Sequence, residues 1–410
     1  MTSDERASGP CLVHTRPMRT LVSSFPAIGH VHPMVPLARS FAESGHEVMW
    51  ATGPDGCRVV EAAGLRSVCV GLSAEEMQKQ MFERSPEIAT LRPDQLPGFM
   101  FPRLFGSVAA SATLPELLAA ARAWRPDVVV HVVGSFAAPL VAAVLGVPNV
   151  CVGFGPLVAA EYMSGASEAV APLWAEHGLE QPPFAGCYDD LYVDIYPPSL
   201  RDGASDHIPR QLSMRPVTSA APVLPDDPAA EDFARFAEEG NQPLVYLTFG
   251  TVFNATTGPF REAFLGLVAT GFRVVVTVGP QGDPGAFGPL PPQVRVYRYV
   301  PHQLILDRCS LVVSHGGSGT FLGAFDRGLP QLCIPQAADQ FANARAGANA
   351  GAGLTLMPNQ SSRDAVTEAA VHLLSEPSFR TNAQRIQHEL ATMPSPDEVA
   401  AIIEERVSSR

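Results

Sequence analysis

The sequence lacks the features that mark a membrane protein or a secreted, disulfide-bonded one. No apolar run reaches the roughly 18 to 20 residues that span a bilayer. The first 17 residues contain no apolar segment of the kind found in a secretory signal. The 7 cysteines are scattered and form no CxxC pair, so neither a disulfide framework nor a zinc site is expected. These absences predict a cytoplasmic protein with no membrane partner.

Positive charge is also scarce. The 410 residues include 28 Lys and Arg against 41 Asp and Glu, and the net charge of −13 is spread along the chain. This balance argues against a nucleic-acid partner. It also means that an anionic ligand must be held by a local arrangement of donors, because the overall field repels it.

Apolar, β-rich segments alternate with helical patterns along most of the chain, which is typical of parallel sheets covered by helices. The proline-rich segment Tyr196–Asp227 separates two such groups and is interpreted as a linker. The predicted fold is α/β, with two doubly wound Rossmann-like domains facing each other across a cleft. Strands are predicted at Arg19–Ser24, His46–Thr52, Arg66–Gly71, Asp127–Val132, Asn149–Gly153, Leu244–Phe249, Arg273–Val278, Val294–Tyr297, Leu311–Ser314, Gln331–Ile334 and Gly353–Leu356.

The predicted domain boundaries follow from this pattern. Residues 1–17 are expected to form a disordered tail, residues 18–218 the first domain and residues 219–410 the second. The last predicted helix, Asp397–Val407, is a candidate to cross back to the first domain. Two segments, Ser73–Phe105 and Gly155–Tyr192, interrupt the alternation and carry Met and aromatic residues. They are interpreted either as loops that line a site for a large apolar ligand or as helical insertions packed on the core.

A glycine-rich loop, His315–Thr320, directly follows the strand Leu311–Ser314. In doubly wound domains ligands bind where strands turn into helices. Free backbone N–H groups and the positive end of the following helix there favour an anion, usually a phosphate. Two alternatives remain: a tight turn that only needs positive φ, or a nicotinamide site. The second fits poorly, because Gly317, Gly319 and Gly323 give GxGxxxG, one residue too long.

The segments "VYRYVPHQLIL", "HGGSGT" and "GLPQLCIPQAADQFANA" resemble the donor-binding signature of GT-B glycosyltransferases. More narrowly, they resemble those of the bacterial enzymes that attach sugars to polyketide and other natural-product aglycones. The resemblance covers nearly the whole chain from Arg19. It implies a GT-B fold, an acceptor-binding first domain and a donor-binding second domain. It also implies inverting transfer from a nucleotide-sugar co-substrate, with no cofactor and no metal, and the sequence contains no DxD motif.

By this resemblance the donor-site residues fall into three groups. The diphosphate is expected to bind His315, Gly316, Gly317, Ser318, Gly319, Thr320 and Thr251; the base Tyr299, Val300 and His302; and the sugar Asp339 and Gln340. Taken without the motif, Asp339 would be a helix N-cap and Tyr299 a core aromatic. Plant relatives often carry a Glu that contacts the ribose at the position of Gly323, and its absence here favours a dTDP donor, with a deoxyhexose.

The segment "SSFPAIGHVHP" follows the first strand and resembles the acceptor-side GHxxP element, so His30 matches the general base. An imidazole is suited to deprotonating a hydroxyl near neutral pH. His32 is the alternative and is more readily explained as a packing residue, while His46 is interpreted as structural. Relatives commonly carry an acidic partner of the base where Val132 stands. His30 is therefore expected to rely on Ser135, His131 or a backbone carbonyl, or to act on an acidic hydroxyl such as a phenol.

The predicted function is the transfer of a deoxysugar from a dTDP donor to a hydroxyl of an apolar aglycone. The implied partners are these two small molecules, and the oligomeric state is left open, with a homodimer as one alternative. Because of Val132, a second hypothesis is a non-catalytic nucleotide-sugar-binding homologue that serves as a partner subunit. A nicotinamide-dependent oxidoreductase rests on glycine spacing alone.

Overall fold

The computed structural model describes residues 16–91, 95–202, 205–217, 227–250, 258–279 and 282–410. Most of the expected N-terminal tail and the expected domain junction near residue 218 lie outside these ranges. Arg16, at the end of that tail, forms an ion pair with Asp127 at 2.7 Å.

Within the described residues, the first domain contains seven strands and eight α-helices. Its strands are β1 Arg19–Ser23, β2 Glu47–Thr52, β3 Ser67–Cys69, β4 Val128–Val132, β5 Asn149–Val152, β6 Leu191–Asp194 and β7 Gln211–Ser213. Its helices are α1 Ile28–Val31, α2 Val35–Glu43, α3 Pro54–Ala62, α4 Ala74–Arg84, α5 Leu96–Phe101, α6 Ala110–Trp124, α7 Ala137–Leu145 and α8 Ala160–Glu176. A 3₁₀ turn, His32–Met34, links α1 to α2, and a π-helical segment, Pro102–Ala109, links α5 to α6.

The described part of the second domain contains six strands, and the helices from α9 onward complete the described chain. The strands are β8 Leu244–Thr248, β9 Arg273–Thr277, β10 Val294–Tyr297, β11 Leu311–Ser314, β12 Gln331–Cys333 and β13 Gly353–Thr355. The helices are α9 Pro228–Glu238, α10 Gly258–Ala269, α11 His302–Leu306, α12 Ser318–Phe325, α13 Gln340–Asn349, α14 Arg363–Ser375, α15 Pro377–Thr392 and α16 Pro396–Ser408.

Both sheets are parallel and have the same doubly wound topology, which confirms the predicted GT-B class. The strand orders are β3-β2-β1-β4-β5-β6-β7 and β10-β9-β8-β11-β12-β13. In each sheet the order reverses at one point, between β1 and β4 in the first and between β8 and β11 in the second. A crevice at the carboxyl ends of the strands is expected at each reversal.

The segment Tyr196–Asp227 is not simply a linker, because part of it belongs to the first sheet. Its residues 211–213 form β7, an edge strand paired with β6, and neither strand is predicted from the sequence. The sequence does not predict β7 because its three partly buried residues, which lie between prolines, show almost no hydrophobic pattern. Of the two interpretations of Ser73–Phe105 and Gly155–Tyr192, helical insertion is correct for α4, α5 and α8.

One helical stretch, Leu96–Trp124, is long and apolar enough to cross a membrane by length and composition alone. Half of its most apolar window is buried inside the protein. Leu117 and Ala121 are fully enclosed in a cluster with residues of α7 and β4. This is the arrangement of a core helix in a globular domain.

The two domains share a continuous hydrophobic core. Val22 and Phe41 of the first domain belong to the same cluster as Phe321, Ile386 and Ile403 of the second half of the chain. The C-terminal helix α16 packs against α2, where the Ser40 hydroxyl donates to Asp397 Oδ1 at 2.5 Å. Nε2 of His46 lies 3.4 Å from Glu404 Oε2, and its Nδ1 accepts from the Met18 N–H at 3.2 Å, as suits a structural histidine.

The shared core predicts that α16 stabilises the protein through one face. Replacing Ile403, which is 1% exposed, in the variant Ile403→Ala should lower the free energy of unfolding by about 2–5 kcal/mol, because a buried cavity forms. The matched control is Ile402→Ala, since Ile402 is 37% exposed and should change stability by less than about 0.5 kcal/mol. Urea denaturation of both variants measures the difference. Equal effects would contradict this docking of α16.

Candidate active site

His30 lies at the carboxyl end of the first sheet, in the short helix α1 that follows β1. Three aromatic rings from different elements surround its imidazole, with centroid distances of 5.4 Å to Phe25, 5.3 Å to Phe105 and 4.5 Å to Phe154. The described residues offer no hydrogen-bond partner to its buried Nδ1 atom. Because burial disfavours the charged form, the pKa of His30 is lowered to about 4.

None of the side chains considered as a partner for His30 takes that role. Val132 is fully buried in the shared core. Ser135 exchanges a hydrogen bond with Ser23 at 3.0 Å, and Nε2 of His131 lies 3.3 Å from Asn149 Oδ1. The imidazole is therefore held by packing rather than by a carboxylate. His32, the alternative base, is exposed in the 3₁₀ turn that follows α1.

The glycine loop lies at the corresponding position of the second sheet, between β11 and α12. Gly316 has φ of +81°, and its N–H donates to Ser314 Oγ at 3.0 Å, which turns the chain sharply out of the strand. Among the described residues no side chain caps α12, whose first intrahelical bond runs from the Phe321 N–H to the Gly317 carbonyl at 2.9 Å. The N–H groups that precede it have no intrahelical partner, and Gly319 and Thr320 are not buried, which is the arrangement expected of the predicted anion site.

The ring of His315 packs tightly between two glycines. A Cβ atom at Gly250 would lie 2.9 Å from the ring, and one at Gly317 would lie 2.6 Å from Nε2. Burial lowers the pKa of His315 to about 4, while the Thr248 backbone opposes this shift. The ring is thus a neutral group packed against the glycine loop, where a diphosphate is predicted to bind.

The hydroxyl of Ser318 is engaged within the protein. It donates to Asp339 Oδ2 at 2.5 Å and accepts from Asn343 Nδ2 at 2.9 Å. Burial raises the pKa of the Asp339 carboxyl, although the hydrogen bond from Ser318 opposes this effect. Asp339 precedes α13 without capping it through its side chain, so the simple N-cap interpretation does not describe it.

Gln340 shapes the loop that carries Asp339. Its Oε1 atom accepts hydrogen bonds from the backbone N–H groups of Gln336 at 2.7 Å and Ala337 at 3.0 Å. The side chain is 5% exposed, and Ala338 beside it has φ of +54°, a strained conformation for a residue with a Cβ. The side-chain carbonyl oxygen of Gln340 is therefore already hydrogen-bonded within the protein.

The three residues predicted at the base have different environments. The ring of Tyr299 is exposed, whereas Val300 is buried. Nδ1 of His302 lies 3.3 Å from the Tyr246 hydroxyl, and burial lowers the pKa of His302 to about 4. Through Tyr246 the histidine joins a chain of hydroxyls that ends at Thr248, whose Oγ1 accepts from the Gly250 N–H at 3.2 Å. Thr251 lies outside the described residues.

Sequence reasoning missed three residues that link the two domains at the cleft. The Tyr196 hydroxyl, just after β6, donates to Asn343 Oδ1 at 2.9 Å. A Cβ atom at Gly155, after β5, would lie 2.1 Å from Ser318 Oγ. Only Asn343 carried a signal: it stands four residues after Asp339, one turn along the same helical face.

The neighbours Phe154 and Gly155 bring the two halves of the site together. Phe154 packs on the His30 ring, and Gly155 contacts Ser318 at the start of α12. Adjacent Cα atoms are about 3.8 Å apart, so one short segment contacts both His30 and the start of α12. Across the described residues, no group of three His, Cys, Asp or Glu side chains is arranged to hold a metal ion.

Two family models match the chain, and together they cover most of it. They are described as the N-terminal and C-terminal domains of erythromycin biosynthesis protein CIII-like proteins, and they match residues 39–226 and 265–406. The chain belongs to this family of natural-product glycosyltransferases. The first matched region contains β2 to β7 and the second contains β9 to β13.

Individual relatives of this glycosyltransferase agree with that assignment. It is 36% identical over 373 residues to the elloramycin glycosyltransferase ElmGT of Streptomyces olivaceus, covering 87% of this chain and 88% of that protein. It is 30% identical over 410 residues to the aclacinomycin-T 2-deoxy-L-fucose transferase of Streptomyces galilaeus, with 88% and 89% covered. The spinosyn rhamnosyltransferase SpnG, solved with thymidine diphosphate, is 29% identical, with a TM-score of 0.77 over 94% of this chain and 100% of that one.

The close approach at Gly155 predicts a steric requirement in this glycosyltransferase. The variant Gly155→Ala should lower the free energy of unfolding by about 1–3 kcal/mol, because the added methyl group overlaps Ser318, which Asp339 and Asn343 hold in place. The control is Gly29→Ala, where a Cβ atom meets nothing within 4 Å. Chemical denaturation compares the two. A Gly155→Ala variant as stable as the control would mean that this contact is loose in solution.

Proposed function

We propose that this glycosyltransferase moves a deoxysugar from a dTDP donor to a hydroxyl group of an apolar natural-product aglycone, with inversion at the anomeric carbon. The observation that carries the proposal is the segment Phe154–Gly155, whose two adjacent residues contact His30 and the start of α12. A base and an anion site that share one short segment suit attack on a sugar whose leaving group is a diphosphate.

The donor half rests on the loop His315–Thr320. Its free N–H groups and the dipole of α12 would stabilise the charge that develops on the departing diphosphate, so no metal is needed for that task. Position 323, buried within α12, is a glycine and offers no carboxylate to a ribose. This favours a thymidine nucleotide, which lacks the 2′-hydroxyl. The rhamnosyltransferase relative solved with thymidine diphosphate supports the same choice.

The exposed ring of Tyr299 is proposed to stack on the base, with the backbone of Val300 at the base edge and His302 beneath. Asp339 is proposed to bind the sugar hydroxyls, with Gln340 supporting its loop. The relative named as a 2-deoxy-L-fucose transferase supports a deoxysugar donor. Thr251 remains a proposed diphosphate ligand.

The acceptor half rests on the apolar surroundings of His30. Phe25, which packs on the His30 ring, also lines a small cavity of about 20 Å³ with Met77, Phe136 and small residues at the carboxyl ends of β1 and β4. This cavity is too small for an aglycone, so the acceptor is proposed to lie on the apolar surface that these rings form. The spinosyn rhamnosyltransferase, solved also with its aglycone, supports an acceptor of this class.

His30 is proposed to take the proton from the acceptor hydroxyl as that oxygen attacks the anomeric carbon. A neutral imidazole has the free lone pair that this step requires. The imidazolium that forms would find no carboxylate among its described neighbours, and its surroundings are aromatic. We therefore propose a phenolic or enolic acceptor, which gives up its proton more readily than an alcohol. The reaction is proposed to take place in the cytoplasm.

The donor assignment predicts selective stabilisation by one nucleotide. Thermal unfolding with dTDP, UDP, GDP and NAD should show the largest rise in midpoint with dTDP. A ligand at about 100 times its Kd adds about 2.7 kcal/mol, or roughly a few degrees. A rise with UDP but not with dTDP would overturn the thymidine assignment. Binding of dTDP without any turnover of a dTDP sugar would favour the non-catalytic homologue.

The base assignment predicts a specific loss in the variant His30→Ala. Its kcat should fall by about 10²–10⁴-fold, the usual range for general base catalysis, while dTDP affinity stays within twofold. The control is His32→Ala, since His32 is exposed two residues away and should retain wild-type turnover. Steady-state kinetics with a dTDP-deoxyhexose and a phenolic aglycone measures both. Unchanged turnover in His30→Ala would remove His30 from the mechanism.

The pH profile gives an independent check on the same residue. An ordinary histidine, with pKa near 6.5, loses its function as a base as pH falls through that value. Because the pKa of His30 is lowered to about 4, the lone pair stays available well below pH 6. We expect kcat/KM, which reports the free enzyme, to change by less than about twofold between pH 5.5 and 7.5. A fall in kcat/KM as the pH decreases through about 6.5 would show that the base has an ordinary pKa, and therefore that it is exposed or paired with another group.

A further inference from the structure

Asn343 of α13 is the hub of a buried polar cluster between the domains. The side chain is fully buried. Its Nδ2 atom donates to the Gly316 carbonyl at 2.9 Å, to Ser318 Oγ at 2.9 Å and, at 3.4 Å, to Asp339 Oδ2. One amide thus holds the turn of the glycine loop, the first residue of α12 and the carboxylate of the neighbouring loop. It does not itself face the open side of the cleft.

Tyr196 supplies the remaining contact of this hub from the first domain. Its hydroxyl donates to Asn343 Oδ1 at 2.9 Å, and its ring stacks on Phe321 of α12 at 6.4 Å with an interplanar angle of 11°. The Tyr196 backbone is fixed in turn, since its N–H donates to Asp194 Oδ1 at 2.9 Å and Asp194 pairs with Arg201 at 2.9 Å.

The directions of these hydrogen bonds depend on one another. A side-chain amide has one acceptor end and one donor end. Gly316 and Asp339 present only acceptors to Asn343, so the donor end must face them and the opposite end needs a donor. The Tyr196 hydroxyl is that donor, and burial raises the pKa of Tyr196, which keeps it protonated. The hydrogen bonds then all point in one direction, from Tyr196 to Asn343, from Asn343 to Ser318 and from Ser318 to Asp339.

We propose that Tyr196 and Asn343 form a positioning pair through which the first domain sets the geometry of the donor site in the second. The proposal rests on the proposed function, since it assigns the cluster a role in binding the donor nucleotide. Neither side chain needs to touch the ligand. Without the Tyr196 hydroxyl, the Asn343 amide loses the partner that fixes its orientation, and the loop carbonyl, Ser318 and Asp339 lose a common anchor. Buried polar networks of this kind are weakened by one missing member.

The test compares two Tyr→Phe variants of the full-length protein. Calorimetric titration with dTDP should show binding about three- to tenfold weaker in Tyr196→Phe, which corresponds to one hydrogen bond. The matched control is Tyr188→Phe, because Tyr188 is equally buried in the first domain and its hydroxyl has no hydrogen-bond partner among the described residues. Its dTDP affinity should stay within twofold of wild type. Both rings are retained, so both variants are expected to fold.

A double-mutant cycle separates positioning from a general loss of stability. In an Asn343→Ala background, Tyr196→Phe should change dTDP affinity by less than twofold, because its partner is absent. If Asn343→Ala does not yield folded protein, Asn343→Leu, which has a similar size and cannot accept from the Tyr196 hydroxyl, replaces it in the cycle. Titrations are made well below every unfolding midpoint. A merely structural role would lower the midpoint of Tyr196→Phe and leave its dTDP affinity unchanged.

The outcomes distinguish the two proposals. Wild-type protein that binds dTDP, with Tyr196→Phe binding equally well, overturns the positioning pair alone. Additive losses of dTDP affinity in the double-mutant cycle overturn it as well, because additivity means that Tyr196 and Asn343 act independently. Failure of the wild-type protein to bind any of dTDP, UDP or GDP overturns the donor-site function and the positioning pair together.

Discussion

The free backbone N–H groups at the start of α12 are the constraint around which the site is arranged. In a chain with a net charge of −13, an anionic ligand needs local donors that cost no charged side chain. Gly316 turns the strand into the helix, and no described side chain caps the first turn. The Ser318 hydroxyl and the Asn343 amide are hydrogen-bonded to each other and to Asp339 Oδ2, so the backbone N–H groups of this turn, rather than the Ser318 hydroxyl, are left to bind an anion.

Burial keeps the histidines of the site neutral. The pKa values of His30, His302 and His315 are each lowered to about 4 by loss of solvent, and each ring packs against aromatic or backbone groups. A neutral His30 suits proton abstraction, but an imidazolium in the same aromatic surroundings is costly because no described carboxylate balances it. The same packing that would prepare His30 as the proposed base would therefore favour the more acidic hydroxyls as acceptors.

The shared core sets how the two halves meet. Residues of β1, α2, α12, α15 and α16 form one hydrophobic cluster, and α16 returns to the first domain beside α2. This packing brings the carboxyl ends of both sheets to the same cleft, where Phe154 contacts His30 and Gly155 contacts Ser318. Domains joined by so much buried apolar surface keep a defined orientation relative to each other. A single hydrogen bond such as that from Tyr196 to Asn343 can then adjust the positions of individual side chains.

The sequence by itself determined the α/β class, the positions of eleven of the strands along the chain and the position of the glycine loop. These depend on local hydrophobic pattern and on glycine at fixed spacing. It also singled out His30 and the donor motif, whose residues lie close together along the chain. Only the tertiary structure decided that β7 lies within the proline-rich segment, that the hydroxyl of Ser318 is turned to Asp339, and that Gly155, Tyr196 and Asn343 join the domains. These features depend on contacts between residues far apart in the chain, 21 positions for Ser318 and Asp339 and 147 for Tyr196 and Asn343, or on a very short edge strand. A linear pattern carries no information about which distant side chain a buried polar group will meet.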